Sequence, residues 1–204
     1  MEQTQPRLAG TPGATLPAGV SMRPAGAGDE EPLARLLTSL SPAAAFYRFL
    51  QGLGQPKPWL LRALLRREPA RGCWLAFAGD QPVGHASWVV GPDGAVDLGL
   101  VVTDAWQRRG IGRALLAASV TEAVTAGATR LRLDVHPDNR PVVGALRRRF
   151  PGSLSLVDGL VVADVPFDAV LAVPFAPPVS VAPPVSAAPA AAGAPVPAGA
   201  PLAG

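Results

Sequence analysis

The sequence predicts an α/β domain: a mixed, mostly antiparallel sheet with one parallel central strand pair, flanked by helices. Three observations carry this expectation. Apolar stretches at residues 72–78, 83–90 and 95–103 are separated only by the turn signals Gly79-Asp80-Gln81-Pro82 and Gly91-Pro92-Asp93-Gly94, which makes an antiparallel meander. A long apolar-periodic segment, residues 111–126, separates the third stretch from the next, residues 130–135, and a helical crossover of that length joins parallel strands. Near the end, Asp158-Gly159 stands between residues 153–157 and 160–167, a strong hairpin signal.

The remaining elements follow from local chemistry. Val20-Ser21-Met22-Arg23 forms a short first strand, stopped by Pro24. Asp29 is placed to cap a helix whose apolar positions are Leu33, Leu36, Leu37 and Leu40. Ser41-Pro42 is a cap followed by a first-turn proline, and it opens a second helix carrying Phe46, Tyr47, Phe49 and Leu50. Pro58 opens a third helix with Trp59, Leu60, Leu61, Leu64 and Leu65. Residues 139–150 make the last one. Residues 1–18 are rich in Pro, Gly and Thr, and residues 174–204 alternate Pro, Ala and Val. Both are expected to be disordered tails, because they lack the large apolar side chains that offset ordering entropy. The folded domain is therefore expected over residues 19–173.

Composition excludes several classes. The net charge is +3, and the arginines fall in short local groups. That pattern suits a basic rim around an anionic ligand and argues against a nucleic-acid surface. Cys73 is the single cysteine, so no internal disulfide forms and a reducing compartment fits. Nothing adjacent in sequence would lower its pKa, so it is no nucleophile. No basic segment followed by an apolar core opens the chain, and no run is long and apolar enough to cross a bilayer. The expectation is a cytoplasmic monomer or homodimer without a membrane partner.

The most informative stretch begins at Leu98-Gly99-Leu100-Val101-Val102, an apolar strand. Thr103-Asp104-Ala105-Trp106 connects it to Gln107-Arg108-Arg109-Gly110-Ile111-Gly112-Arg113, which opens the long helix. The first helical turn leaves amides unpaired at the positive end of the dipole, and glycine lets an anion come close. Phosphate binding is the natural use of this geometry. No Gly-Lys-Ser/Thr follows, so it is no Walker A loop, and Leu115 replaces the third glycine of a dinucleotide fingerprint.

The pattern Gln/Arg-x-x-Gly-x-Gly/Ala between strand and helix resembles the acetyl-CoA loop of the GNAT acetyltransferase family. Asp138-Asn139-Arg140-Pro141 through Phe150 resembles the family's next helix, which usually begins with Asn and ends near Gly-Phe. The order of elements over residues 20–173 is also similar to the family's. The resemblance implies a GNAT-like fold with acetyl-CoA as co-substrate and no metal. It implies that strands four and five splay and admit the pantetheine arm. Leu100, Val101 and Val102 would bond that arm through their backbone. Gln107, Arg108, Arg109, Gly110, Ile111, Gly112 and Arg113 would cradle the pyrophosphate, and Asn139 would lie near the pantetheine.

Acetyl transfer needs a neutral amine, and hence a base. Asp97 shares one strand face with Gly99 and Val101, and relatives often carry Glu at its position. It is the first catalytic candidate; His136, just after strand five, is the second. His85 reads as a structural strand residue. The general acid departs from the family: the tyrosine seven residues after the Asn is Leu146 here, and the terminal Leu-Gly-Phe is altered to Arg149-Phe150. The chain's one tyrosine, Tyr47, has aromatic neighbours that suggest core packing. Residues 39–49 resemble the second-helix region of bacterial protein-lysine acetyltransferase catalytic domains. The implied function is acetyl transfer to a primary amine, either a small molecule or a protein lysine, directly within a ternary complex. The alternative is a catalytically weak acyl-CoA-binding or interaction module.

Overall fold

Seven strands form one sheet in the order β1-β2-β3-β4-β5-β7-β6 in the computed structural model, which describes residues 16–172. They are β1 (Val20–Pro24), β2 (Arg71–Ala78), β3 (Gln81–Val90), β4 (Ala95–Val102), β5 (Arg130–Val135), β6 (Leu154–Val157) and β7 (Leu160–Pro166). The helices are α1 (Glu30–Thr38), α2 (Pro42–Phe49), α3 (Pro58–Leu65), α4 (Ile111–Thr125), α5 (Arg140–Arg149) and α6 (Phe167–Ala172). All neighbours are antiparallel except β4 and β5. The mixed sheet and its single parallel pair match the expectation, because the crossover helix α4 leaves no short way back. The expectations for residues 1–15 and 173–204 lie outside the described residues. Residues 16–18 belong to the folded part: Pro17 accepts from the Val20 amide at 3.0 Å, and Leu16 packs on the core beside β1.

Alternation along the strands sends side chains to two faces. On one face Cys73 and Leu75 pack with Leu33, Leu36, Leu37, Leu61 and Leu65 of α1 and α3. On the other, Trp74, Ala76 and Ala86 pack with Ile111, Ala114 and Leu115 of α4. Trp88, Val96 and Leu131 continue that second core into α5, through Val143, Leu146 and Phe150. Glu122 ties α4 to the sheet: its carboxylate accepts from the indole N–H groups of Trp74 (2.9 Å) and Trp88 (3.1 Å) and from Arg67 (2.7 Å).

Two end signals behave differently from each other. Ser41 caps α2 as expected, accepting from the Ala44 amide at 3.2 Å. Asp29 stands at the start of α1 but does not cap it; its carboxylate turns back to the Gly26 amide (2.9 Å) and to Arg23 (3.0 Å). The guanidinium of β1 outcompetes the helix amides for the charge. α6 is an addition to the expected elements; it is short, and it buries Phe167 and Val170 against the second core.

Candidate active site

β4 and β5 pair only at Ala95↔Arg130, Val96↔Leu131 and Asp97↔Arg132. Beyond Asp97 the strands part, and β4 continues alone on that edge to Val102 while its other edge stays paired with β3. The Thr103 amide donates to Val83 O in β3 at 3.0 Å. By alternation Val101 also turns its backbone to β3, whereas Leu98, Leu100 and Val102 turn theirs to the gap. A cleft of about 860 Å³ runs through this gap and opens on both faces of the sheet.

On the α4 side, the cleft meets the helix start. Arg108 (φ 58°) and Gly110 (φ 87°) both adopt left-handed backbone, which folds the loop tightly before the helix. The first intrahelical bond runs from the Ala114 amide to Gly110 O at 3.0 Å, so the amides ahead of it point out of the helix end. Ile111 is buried and pins the turn to the core. Gln107 donates from Nε2 to Val102 O at 3.0 Å, fastening the loop to the end of β4. Arg109 stacks over Trp106, 4.8 Å from the ring centroid, while Arg108 and Arg113 are exposed. Gly112 and Arg113 line the cleft, as do Asn139 and Leu146. Asn139 occupies the N-cap position of α5 without making the side-chain cap that its place suggests.

On the α2 side, Asp97 is exposed at the cleft wall with Arg132 and Asp134 beside it. Partial desolvation holds its carboxyl above the ordinary carboxylate range; Arg132 pulls the other way, and Asp134 and Asp93 push with the burial. His136 lies outside the cleft lining. Its ring packs edge-on to Phe46 with centroids 5.1 Å apart, and Nδ1 accepts from the Asp138 amide at 3.2 Å. Tyr47 is not a core residue: it lines the cleft, and its hydroxyl donates across it to Asp138 O at 3.2 Å. α2 thus crosses the gap, with Tyr47 reaching the end of β5 and Arg48 lying on β4. Arg48 was missed from sequence, although a cation between Tyr47 and Phe49, and a glycine in mid-strand at 99, were signals of a close approach.

Two buried groups stand apart from this chemistry. His85 is fully enclosed; burial, then the Arg48 charge, push it down to about 3, so it stays neutral. Cys73 donates from Sγ to Ala25 O at 3.1 Å, and burial above all pushes its thiol up to about 11.

The split sheet lies beside a basic, glycine-containing helix start, where outward-pointing amides can meet a phosphate. The sequence model of the acetyltransferase (GNAT) family matches residues 37–150, more than half of the chain, and the chain belongs to that family. The GNAT domain of S. lividans PAT is similar in structure, with a TM-score of 0.63 over 71% of this chain and 89% of that one, at 20% identity. An acetyltransferase from Thermus thermophilus gives 0.56 over 76% and 99%, at 22% identity. A GNAT-family acetyltransferase from Streptococcus pneumoniae gives 0.52 over 72% and 98%, at 15% identity. At these identities the likeness establishes the fold. No curated protein matches the sequence. Among the described residues no helix is long and apolar enough to cross a membrane.

Proposed function

We propose that the chain is an N-acetyltransferase that moves an acetyl group from acetyl-CoA to a primary amine within a ternary complex. The observation that carries this is the gap between β4 and β5, opening directly onto the helix start at Gly110–Arg113. The residues suit the co-substrate. A Cβ at Gly112 would touch only Leu100 and Val102, at 3.5 and 3.7 Å, so the packing leaves room there for a ligand. When bound, acetyl-CoA would supply the acyl group as a thioester: a neutral amine gives the amide and the CoA thiol, and a further proton is released only where the amine starts as its ammonium form.

The chain's own groups have separate tasks. The amides of residues 108–113, with Gln107 fastening the loop, bind pyrophosphate, and Arg108, Arg109 and Arg113 add charge at its rim. Leu98 and Leu100 offer backbone bonds to the arm, with Val102 at the end of the same edge; Val101 is turned to β3 and shapes the wall. Asn139 faces the same arm from α5. Asp97, on the opposite side of the gap, takes the proton from the attacking amine directly or through one water. It is preferred to His136, whose ring is held beneath α2 and away from the cleft. We place the enzyme in the cytoplasm on the sequence grounds given above.

The test is thiol release. Wild-type protein with acetyl-CoA and a panel of amines, including lysine peptides, is expected to release CoA in proportion to amide formed. Calorimetric binding of acetyl-CoA without release for any amine would identify instead an acyl-CoA-binding module, the alternative favoured by buried Leu146 where relatives carry tyrosine.

A further inference from the structure

The half of the cleft under α2 and α3 is lined by four arginines, with Asp97 and Asp134 on the same wall. Arg132 pairs with Asp93 and Asp164, and Arg66 with Glu68. Arg48 and Arg71 differ. Both line the cleft, neither forms an ion pair among the described residues, and the Nε of each is sealed from water without an acceptor.

Arg48 is held in a built seat. Its Nη2 donates to Ser87 Oγ at 2.8 Å, and its guanidinium lies over the Phe49 ring at 5.0 Å. It rests flat against Gly99, where any Cβ would collide with it. Ser87 is the register partner of Gly99, so the guanidinium bridges β3 and β4 on the face that bears Asp97. Asp97 is two residues back on that face, about 7 Å along the strand. Arg71 stands in the same row as Asp97, with Val89 between them. Burial lowers Arg48 only to about 10, so its charge persists at neutral pH. A guanidinium withdrawn from water without a counter-ion is costly, and its planar fork fits a carboxylate.

We propose that this face takes the acceptor as a small amine bearing a carboxylate, with the carboxylate on Arg48 and the amine laid toward Asp97. Resting on the acetyl-transfer reading above, this narrows its acceptor class. The spacing suits α- and β-amino acids and their near homologues.

The experiment compares each amino acid with its own amide as acceptor, at matched concentrations of neutral amine, by CoA release. The wild type is expected to favour the acid at least tenfold in kcat/KM, with the difference in KM. Arg48→Gln should collapse that ratio, and Arg48→Lys should retain part of it. Gly99→Ala should collapse it too, because its methyl displaces the guanidinium while Arg48 remains. Equal use of acid and amide by the wild type would overturn the proposal without any variant. So would a preference that survives Arg48→Gln, or lysine peptides turned over faster than every free amino acid. No release with any amine would sink the acetyl-transfer reading and this with it, whereas release blind to the carboxylate would sink this alone.

Discussion

At position 97 the carboxylate sits on a side chain one methylene shorter than the glutamate that relatives often carry. If Asp97 is the base, Asp97→Asn keeps the size and removes the basicity. The rate at limiting amine should fall by about two orders of magnitude. The loss should shrink at high pH, where more amine is already neutral. Because its carboxyl is held above the ordinary range, the base form disappears as pH falls through a raised value. The acidic limb of the wild-type profile should therefore lie above the usual aspartate value of about 4. Asp97→Glu should keep or raise activity; a near-normal profile for Asp97→Asn beside a collapsed rate for His136→Ala would reverse the assignment. Gly112→Asp probes the phosphate seat. It puts a negative charge where the anion belongs, without the backbone strain that a substitution at Gly110 (φ 87°) would add. Acetyl-CoA affinity should weaken at least tenfold, about 1.4 kcal/mol, and calorimetry showing no change would rule the site out. Asp29 is a test of stability rather than chemistry. Burial opposes its charge, but Arg23 and the Gly26 amide outweigh it and hold the carboxyl below its usual value. A depressed carboxyl stabilises the fold above the unfolded pKa and stops doing so as pH falls through the folded one. Asp29→Asn should thus cost about 1–3 kcal/mol at neutral pH, and urea titrations should show the gap closing below pH ~4.

At the scale of elements, α4 does two jobs: its start faces the cleft and its last turn is bolted to β2 and β3 through Glu122. Glu122→Ala leaves two indole N–H groups and the Arg67 Nη2 without their acceptor, and should cost about 2–3 kcal/mol in denaturant midpoint analysis. An unchanged midpoint would mean that water replaces the carboxylate. The sequence made α4, its loop and the parallel pair legible, because each is written in consecutive residues: an apolar strand, two glycines, a periodic helix. The proline and Ser41 signals placed α2 and α3 for the same reason. It did not reveal that Tyr47 bonds to a carbonyl 91 residues away, that Arg48 meets Ser87 across 39, or that Glu122 gathers tryptophans 34 and 48 positions back. Those pairings exist only once the sheet is assembled. Asp29 misled for a different reason: a cap is a local competition, and Arg23 of β1, six residues back, entered it through its side chain.

For the molecule as a whole, the sheet is two leaves joined by three residue pairs of β4 and β5. A ligand bonding to the edge beyond Asp97 joins them further. Acetyl-CoA at a hundredfold excess over its Kd should add about 2.7 kcal/mol, a rise of about 5–10 °C in Tm for a chain of this size. Amide exchange should slow at Leu98 and Leu100 together with that rise; a flat melting curve would argue that the gap is not where the ligand goes. The enclosed Cys73 has a practical consequence. It is the chain's one thiol, fully buried and almost wholly protonated near neutrality, so a thiol-specific dye added to the native protein counts released CoA alone. The same dye becomes a clock under mild denaturation. Cys73 reacts only when the α1–β2 face parts, and its labelling rate measures how often that happens.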